Sequence, residues 1–283
     1  MLSISTLILS LLLQIAPSAT VIRSLEGDFQ SARCFMVQQN GNRYLIDEKK
    51  NLLQNYAANG TVIRAIGGQG LGNYEFDNPT DVSSSFLLDV YVTDFNNRRI
   101  QRFDKNLNYI QTYDEATLAA KLDGFQPRAC ALSSQGDLFV IDIDGNRILT
   151  LDTRGRLVRE FGTFKDGAGA LSEPTDIAIS PSDEIFVLDR SKIVSYDLFG
   201  NYLRTIVLAT AEWKNIQASN SALVAVASDQ IFIRYFGSDR QTTISRSALV
   251  GLSSGDRFVD GVVEGEQLII LTSTSLHFCI ITR

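Results

Sequence analysis

The chain has 283 residues, 45% of them hydrophobic and 20% charged, with a net charge of −6. That length allows one large or two ordinary domains with a sizeable core. The acidic balance opposes binding to a phosphate backbone or an anionic bilayer, so the sequence predicts no nucleic-acid partner and no membrane insertion.

The chain opens with an apolar run from Leu7 to Ile15, followed by Ala16, Pro17, Ser18 and Ala19. A short apolar core, a helix-breaking proline and small residues read as a secretory signal peptide over residues 1–19. The run is short for a transmembrane helix. The expected protein is therefore exported, periplasmic or extracellular, with one domain over residues 20–283. Three cysteines, Cys34, Cys130 and Cys279, lie in apolar runs without a CxxC spacing. They read as buried free thiols on strands.

Four segments then share one pattern: "RYLIDEKKNLLQNY" (43–56), "VYVTDFNNRRIQRFD" (90–104), "LFVIDIDGNRILTLD" (138–152) and "IFVLDRSKIVSYD" (185–197). Each is an apolar strand ending at an aspartate, a polar loop, and an alternating strand. Asp47, Asp94, Asp142 and Asp189 recur at intervals of 47, 48 and 47 residues. A front strand precedes three of the units, as in "NPTDVSSS" (78–85), "QPRACALSS" (126–134) and "EPTDIAISP" (173–181). A tail strand follows each, as in "ANGTVIRAIGG" and "RGRLVREFG". Period-two alternation and β-branched residues mark all of these as strands, four to a unit. Weaker copies at 222–236 and 267–280 make six units, each the size of a propeller blade. Only "YDEATLAAKL" (113–122) has a helical pattern, a turn or two long.

"VIRSLEG" (21–27) nearly repeats "VIRAIGG" (62–68). The second phrase is the tail strand of the first unit, whereas the last unit runs out of chain after its third strand. The N-terminal copy therefore supplies the missing fourth strand of the last blade and closes the ring. The predicted fold is an all-β, six-bladed propeller of four-stranded antiparallel blades.

The stretch from 67 to 110 resembles the NHL repeat, with Phe76, Pro79, Asp94, Asn97, Arg99, Ile100 and Phe103 at the positions of that pattern. The resemblance covers about residues 40–205. It implies the propeller fold. It leaves function open, because such propellers include ligand-binding ectodomains, RNA binders, protein-docking platforms and a few lyases. The peptide-amidating lyases among them use several histidines around zinc, and His277 is the single histidine here.

An aspartate repeated in every good unit reads as a cap that accepts backbone N–H bonds of the following loop and pairs with Arg99 or Arg147. "GGQGLG" (67–72) is followed by another strand, so it reads as a connection between blades. "DIDGN" (142–146) lacks the spacing and terminal glutamate of a calcium loop. His277, Trp213 and Tyr235 read as structural residues. Asp81 and Asp176 each follow a Pro-Thr pair and begin an innermost strand, a position facing the mouth of the central channel. Two carboxylates there can hold a cation such as calcium or a polar ligand; no other cofactor is expected.

Connections between blades and the middle hairpin loops emerge on one face, where the long variable segments gather. Function on a rigid scaffold tends to sit in such loops. The expected function is non-enzymatic docking, by a monomer, of a protein or polar ligand on this face, with Asp81, Asn97, Arg98, Arg128, Asp144 and Asp176 as candidate contacts. The alternative is a metal-dependent hydrolase or lyase with its site at the channel.

Overall fold

The computed structural model describes residues 17–282 apart from 28, 39, 85–88, 119–121 and 123. The expected leader over 1–19 thus lies outside the described residues as far as residue 16, and the end of the short helical pattern at 113–122 also lies partly outside them. Among the described residues, twenty-five strands form six sheets, and helix is confined to single 3-10 turns.

After β1 (Ser18–Glu26), blade one is β2 (Ala32–Val37), β3 (Arg43–Asp47), β4 (Leu52–Tyr56) and β5 (Val62–Gly67). Blade two is β6 (Pro79–Ser84), β7 (Val90–Asp94), β8 (Arg99–Phe103) and β9 (Tyr109–Tyr113). Blade three is β10 (Pro127–Leu132), β11 (Leu138–Asp142), β12 (Arg147–Leu151) and β13 (Leu157–Phe161). Blade four is β14 (Pro174–Ile179), β15 (Ile185–Asp189), β16 (Lys192–Tyr196) and β17 (Tyr202–Val207). Blade five is β18 (Trp213–Ala218), β19 (Ala222–Ala227), β20 (Gln230–Tyr235) and β21 (Gln241–Ser245). Blade six is β23 (Phe258–Glu264), β24 (Gln267–Thr272) and β25 (Ser275–Thr282), onto which β1 pairs antiparallel as the fourth strand. A two-residue strand, β22 (Leu249–Val250), adds to β1 in parallel, a fifth strand the repeat pattern does not contain.

The second strand of each of the first four blades is buried on both faces (for example "VYVTD" and "IFVLD"), because blades stack on either side of it. Such two-sided burial selects continuous apolar runs over simple alternation. Six apolar clusters fill the spaces between neighbouring blades, so each blade is stabilised by the next. Ala19, fully buried beside Leu249 and Ile281, lies in one of them.

Bulges recur at two places. Every innermost strand shifts register after its first residue, leaving Arg33, Thr80, Arg128, Thr175, Lys214 and Val259 unpaired. Outer strands β5, β9, β13 and β17 carry a bulge at their second residue, Ile63, Ile110, Val158 and Leu203, and β1 carries one at its middle, Ile22; all five residues are exposed. Strand β21 has none. A bulge redirects a side chain and ends regular pairing locally.

Candidate functional site

The strand-end aspartates are caps, as expected, but chiefly of a different segment. Asp94 Oδ1 accepts the Asp77 N–H at 2.7 Å, and Asp142 Oδ1 accepts that of Gln126 at 2.9 Å. Asp47 takes the Gln30 N–H at 2.8 Å, and Asp189 takes those of Ser172 and Glu173. These donors precede the innermost strand of the same blade, where the chain arrives from its neighbour. The following loop is bonded as well at Asp47, through the Lys50 N–H, and at Asp94, through the Asn97 amide. Arg99 and Arg147 pair with Asp94 and Asp142 at 2.8 and 2.9 Å. Arg99 also donates to the carbonyls of Leu71, Gly72 and Glu75, pinning the glycine-rich connection at 67–72.

On the loop-rich face, four of the six candidate residues come together over blades two and three. Arg98 forms an ion pair with Asp144 and donates to Gln126 Oε1 at 2.6 Å. Gln126 in turn donates to the Phe95 carbonyl at 2.7 Å. Asn97 donates to the Gly70 carbonyl and to Asp94 Oδ2, both at 2.8 Å. Arg128 lies over the Phe95 ring, 5.5 Å from its centre, a cation–π contact. The patch is thus held by bonds within the chain.

Asp81 and Asp176 lie lower, inside the channel, together with a third carboxylate that the sequence reading does not name. Asp260 occupies the same position in blade six as Asp81 in blade two and Asp176 in blade four, the residue after the bulge. Each carboxylate accepts two backbone N–H groups. Asp81 takes those of Val82 and Cys130, Asp176 those of Ile177 and Ile216, and Asp260 those of Gly261 and Phe35, at 2.7–3.1 Å. In each case one donor is the next residue of the same strand and the other belongs to the next blade.

The arrangement closes around the ring. An innermost strand is a sheet edge, and its outward N–H groups need acceptors. Phe35, Val82, Cys130, Ile177, Ile216 and Gly261 are the equivalent donors of the six blades, and three aspartates on alternate blades satisfy all of them. Blades one, three and five therefore carry Cys34, Ala129 and Asn215 at this position without an N–H going unpaired. Asn215 instead donates to the carbonyls of Arg33 and Val259 at 3.0 and 2.9 Å. Gln217 donates to Asp260 Oδ2 at 2.5 Å.

Desolvation by the surrounding strands pushes the Asp81 carboxyl up to about 6 and that of Asp260 up to about 7. Asp176 is raised well above the ordinary range, by burial first and by the Asp81 charge second. The accepted N–H bonds pull each of them back only in part.

These carboxylates line a cavity of about 80 Å³, walled by Phe35, Val82, Cys130, Ile177 and Ile216. That volume holds a few waters and is far below a pocket for an organic ligand. Among the described residues, no group of three or more His, Cys, Asp or Glu is placed to hold a metal ion. His277 lies away from the channel on β25, with Nδ1 2.9 Å from Ser24 Oγ and its pKa lowered by burial. The cysteines are free and buried, as expected. Trp213 is buried, its indole donating to the Ala209 carbonyl at 2.9 Å, and Arg240 stacks on Tyr235. No helix among the described residues is long and apolar enough to cross a membrane.

Comparisons with known proteins agree with this architecture. Residues 130–235 match the family DUF5128, described as a 6-bladed beta-propeller. Over 141 residues the chain is 26% identical to protein brain tumor of Drosophila melanogaster, a stretch covering 49% of this chain and 13% of that protein. Among solved structures, it is similar to a virginiamycin B lyase from Staphylococcus aureus, a catalytically inactive histidine-to-alanine variant with quinupristin. The TM-score is 0.66 at 12% identity, over 94% of this chain and 100% of that one. A streptogramin B lyase structure aligns with a TM-score of 0.65 at 12% identity, over 94% and 98% of the two chains. Identity this low speaks to the fold alone. The protein is a six-bladed β-propeller.

Proposed function

We propose that this propeller is an exported, non-enzymatic binding module, monomeric and built from repeats of the NHL kind, that holds a protein or polar ligand on its loop-rich face. Its apolar leader, over residues 1–19, serves as the secretory signal.

The observation that supports this reading most directly is the division of labour among the polar groups. In the channel, Asp81, Asp176 and Asp260 each accept backbone N–H groups from two strands, so they hold neighbouring blades together. On the loop-rich face, Asn97, Arg98 and Asp144 are held in place around Arg128 by bonds within the chain. A surface already ordered loses less side-chain freedom on binding.

The experiment is a pull-down with the mature chain from the envelope or secreted fraction of its native cells, alongside Arg98→Glu and Asp144→Arg variants. Capture by the parent and loss in both variants is the expected result. Capture that survives both reversals sinks the loop-face reading. The alternative, a metal-dependent hydrolase or lyase working at the channel, has the fold of the streptogramin lyases in its favour. It predicts a stoichiometric divalent metal in the purified protein, measured by elemental analysis.

A further inference from the structure

Arg33 and Arg128 are the bulge residues of blades one and three, one position above the aspartate layer on the side of the loop-rich face. Between them, on blade two, Thr80 donates its hydroxyl to the Arg128 carbonyl at 2.7 Å. Asn215 fastens the Arg33 carbonyl from blade five at 3.0 Å. Both arginines are therefore rooted in the innermost ring.

Their guanidinium groups are poorly matched within the chain. Arg98, Arg99, Arg102, Arg147, Arg156, Arg190 and Arg204 each pair with a carboxylate at 2.9 Å or closer. Arg33 reaches Glu48 only at 4.0 Å, and its buried Nε has no acceptor among the described residues. Arg128 is half-buried over Phe95, and no described residue offers its guanidinium a hydrogen-bond acceptor. The two arginines stand at the same level of the channel wall on the blades that flank blade two, and burial, then the positive charge of Arg33, lower the Arg128 pKa. Glu48, Asp81 and Asp176 act on Arg128 in the opposite sense.

We propose that the loop-face mouth of the channel is a carboxylate-binding site, in which Arg33 and Arg128 together receive one singly charged oxyanion from a small acid or from an acidic side chain. The planar fork of arginine matches a carboxylate through two parallel N–H bonds, and a buried donor without an acceptor gains most from one. The charge of the ligand follows from its surroundings. Glu48 and the aspartates below repel a dianion more than a monoanion, so carboxylate is favoured over phosphate. This site deepens the loop-face reading and rests on it.

The test follows the arginine side-chain Nε–H resonances of the intact propeller by NMR. The titrants are acetate, an acetylated glutamate-containing peptide and inorganic phosphate, each at constant ionic strength. Peaks of Arg33 and Arg128 are identified by their loss in Arg33→Lys and Arg128→Lys. Saturable shifts of both peaks with acetate or peptide are expected, the source being whichever saturates lower. The midpoint should rise by about tenfold or more in either lysine variant, which keeps the charge and loses the fork. Arg156→Lys, in a tight turn away from the channel mouth, should leave it unchanged.

Shifts that never saturate, that persist in both lysine variants, or that saturate at lower phosphate than carboxylate overturn the assignment. If carboxylate does not bind while reversal at Arg98 and Asp144 still abolishes partner capture, this site falls and the loop-face reading stands.

Discussion

Asp176→Ala is the sharpest test of the aspartate layer. In the native ring, Asp176 Oδ1 accepts the Ile177 N–H at 2.9 Å and Oδ2 accepts the Ile216 N–H at 2.7 Å. Alanine removes both acceptors at once. A buried donor left unpaired costs about 1–3 kcal/mol, so the two together cost about 2–6 kcal/mol. That is a large share of the roughly 5–15 kcal/mol that holds a typical domain folded. Water entering the channel cavity can recover some of this, which places the expected loss in the lower half of the range. Asp176→Asn keeps one acceptor oxygen and turns an NH₂ group toward the second donor, so its loss is smaller.

The informative companion is Ala129→Asp, at the equivalent position of blade three. The N–H groups it would reach are those of Cys130 and Ile177, already bonded to Asp81 and Asp176, so a new carboxylate there gains no partner and adds a further buried charge. It should destabilise too. Urea denaturation followed by far-UV circular dichroism reads all three variants through their midpoints. If Asp176→Ala stays within about 0.5 kcal/mol of the parent, or Ala129→Asp is more stable than the parent, the one-carboxylate-per-two-blades account is wrong.

The same layer sets a pH dependence of unusual sign. With Asp81 and Asp260 raised to about 6 and 7, the folded chain keeps protons that the unfolded chain has released above its ordinary carboxylate range. Their contribution is fully present below about pH 4 and is lost as pH rises through 6 and 7, so urea midpoints should fall across that window, less steeply in Asp260→Asn. Arg99→Ala breaks a buried pair with Asp94 and frees three carbonyls of the connection at 67–75; a loss of about 3–5 kcal/mol is expected in the same assay. Burial raises the Cys34 and Cys130 thiols well above their ordinary value and Cys279 to about 12, so a thiol reagent should label none in the native protein and three in urea. At Gly67, with φ +136° and a Cβ position 2.1 Å from the Asn51 carbonyl oxygen, alanine should lower the thermal midpoint by several degrees.

Much of this architecture is legible in the chain because a propeller repeats its physics. The spacing of Asp47, Asp94, Asp142 and Asp189 reports blade length, and the two "VIR" phrases report how the ring closes. Asp81 and Asp176 could be placed in the channel because the Pro-Thr-Asp sequence marks the start of an innermost strand. Asp260 was missed because blade six opens with "RFVDGVVEG" and lacks that proline; an aspartate heading a short apolar strand was the remaining signal. Arg33 was missed for a related reason. Its equivalence to Arg128 follows from the bulge, which aligns "ARCF" with "PRAC", and a bulge is a register event that residue types alone do not announce. Strand β22 has no counterpart in the repeat, so no period could reveal it.

The bulged residues on the outer strands bear on how such molecules coexist at high concentration. A propeller turns the outer strand of each blade toward solvent, a row of donors and acceptors that a second molecule could extend into a continuous ribbon, and on blade six β22 already covers the start of that row. At Ile22, Ile63, Ile110, Val158 and Leu203 the row is broken by one inserted residue that cannot join a foreign ladder in register. Blade five keeps an unbroken row along Gln241–Ser245 and shields it with polar side chains. Fibre growth is therefore discouraged by geometry on five sides and by solvation on the sixth, and polymerisation, if forced, should begin at blade five.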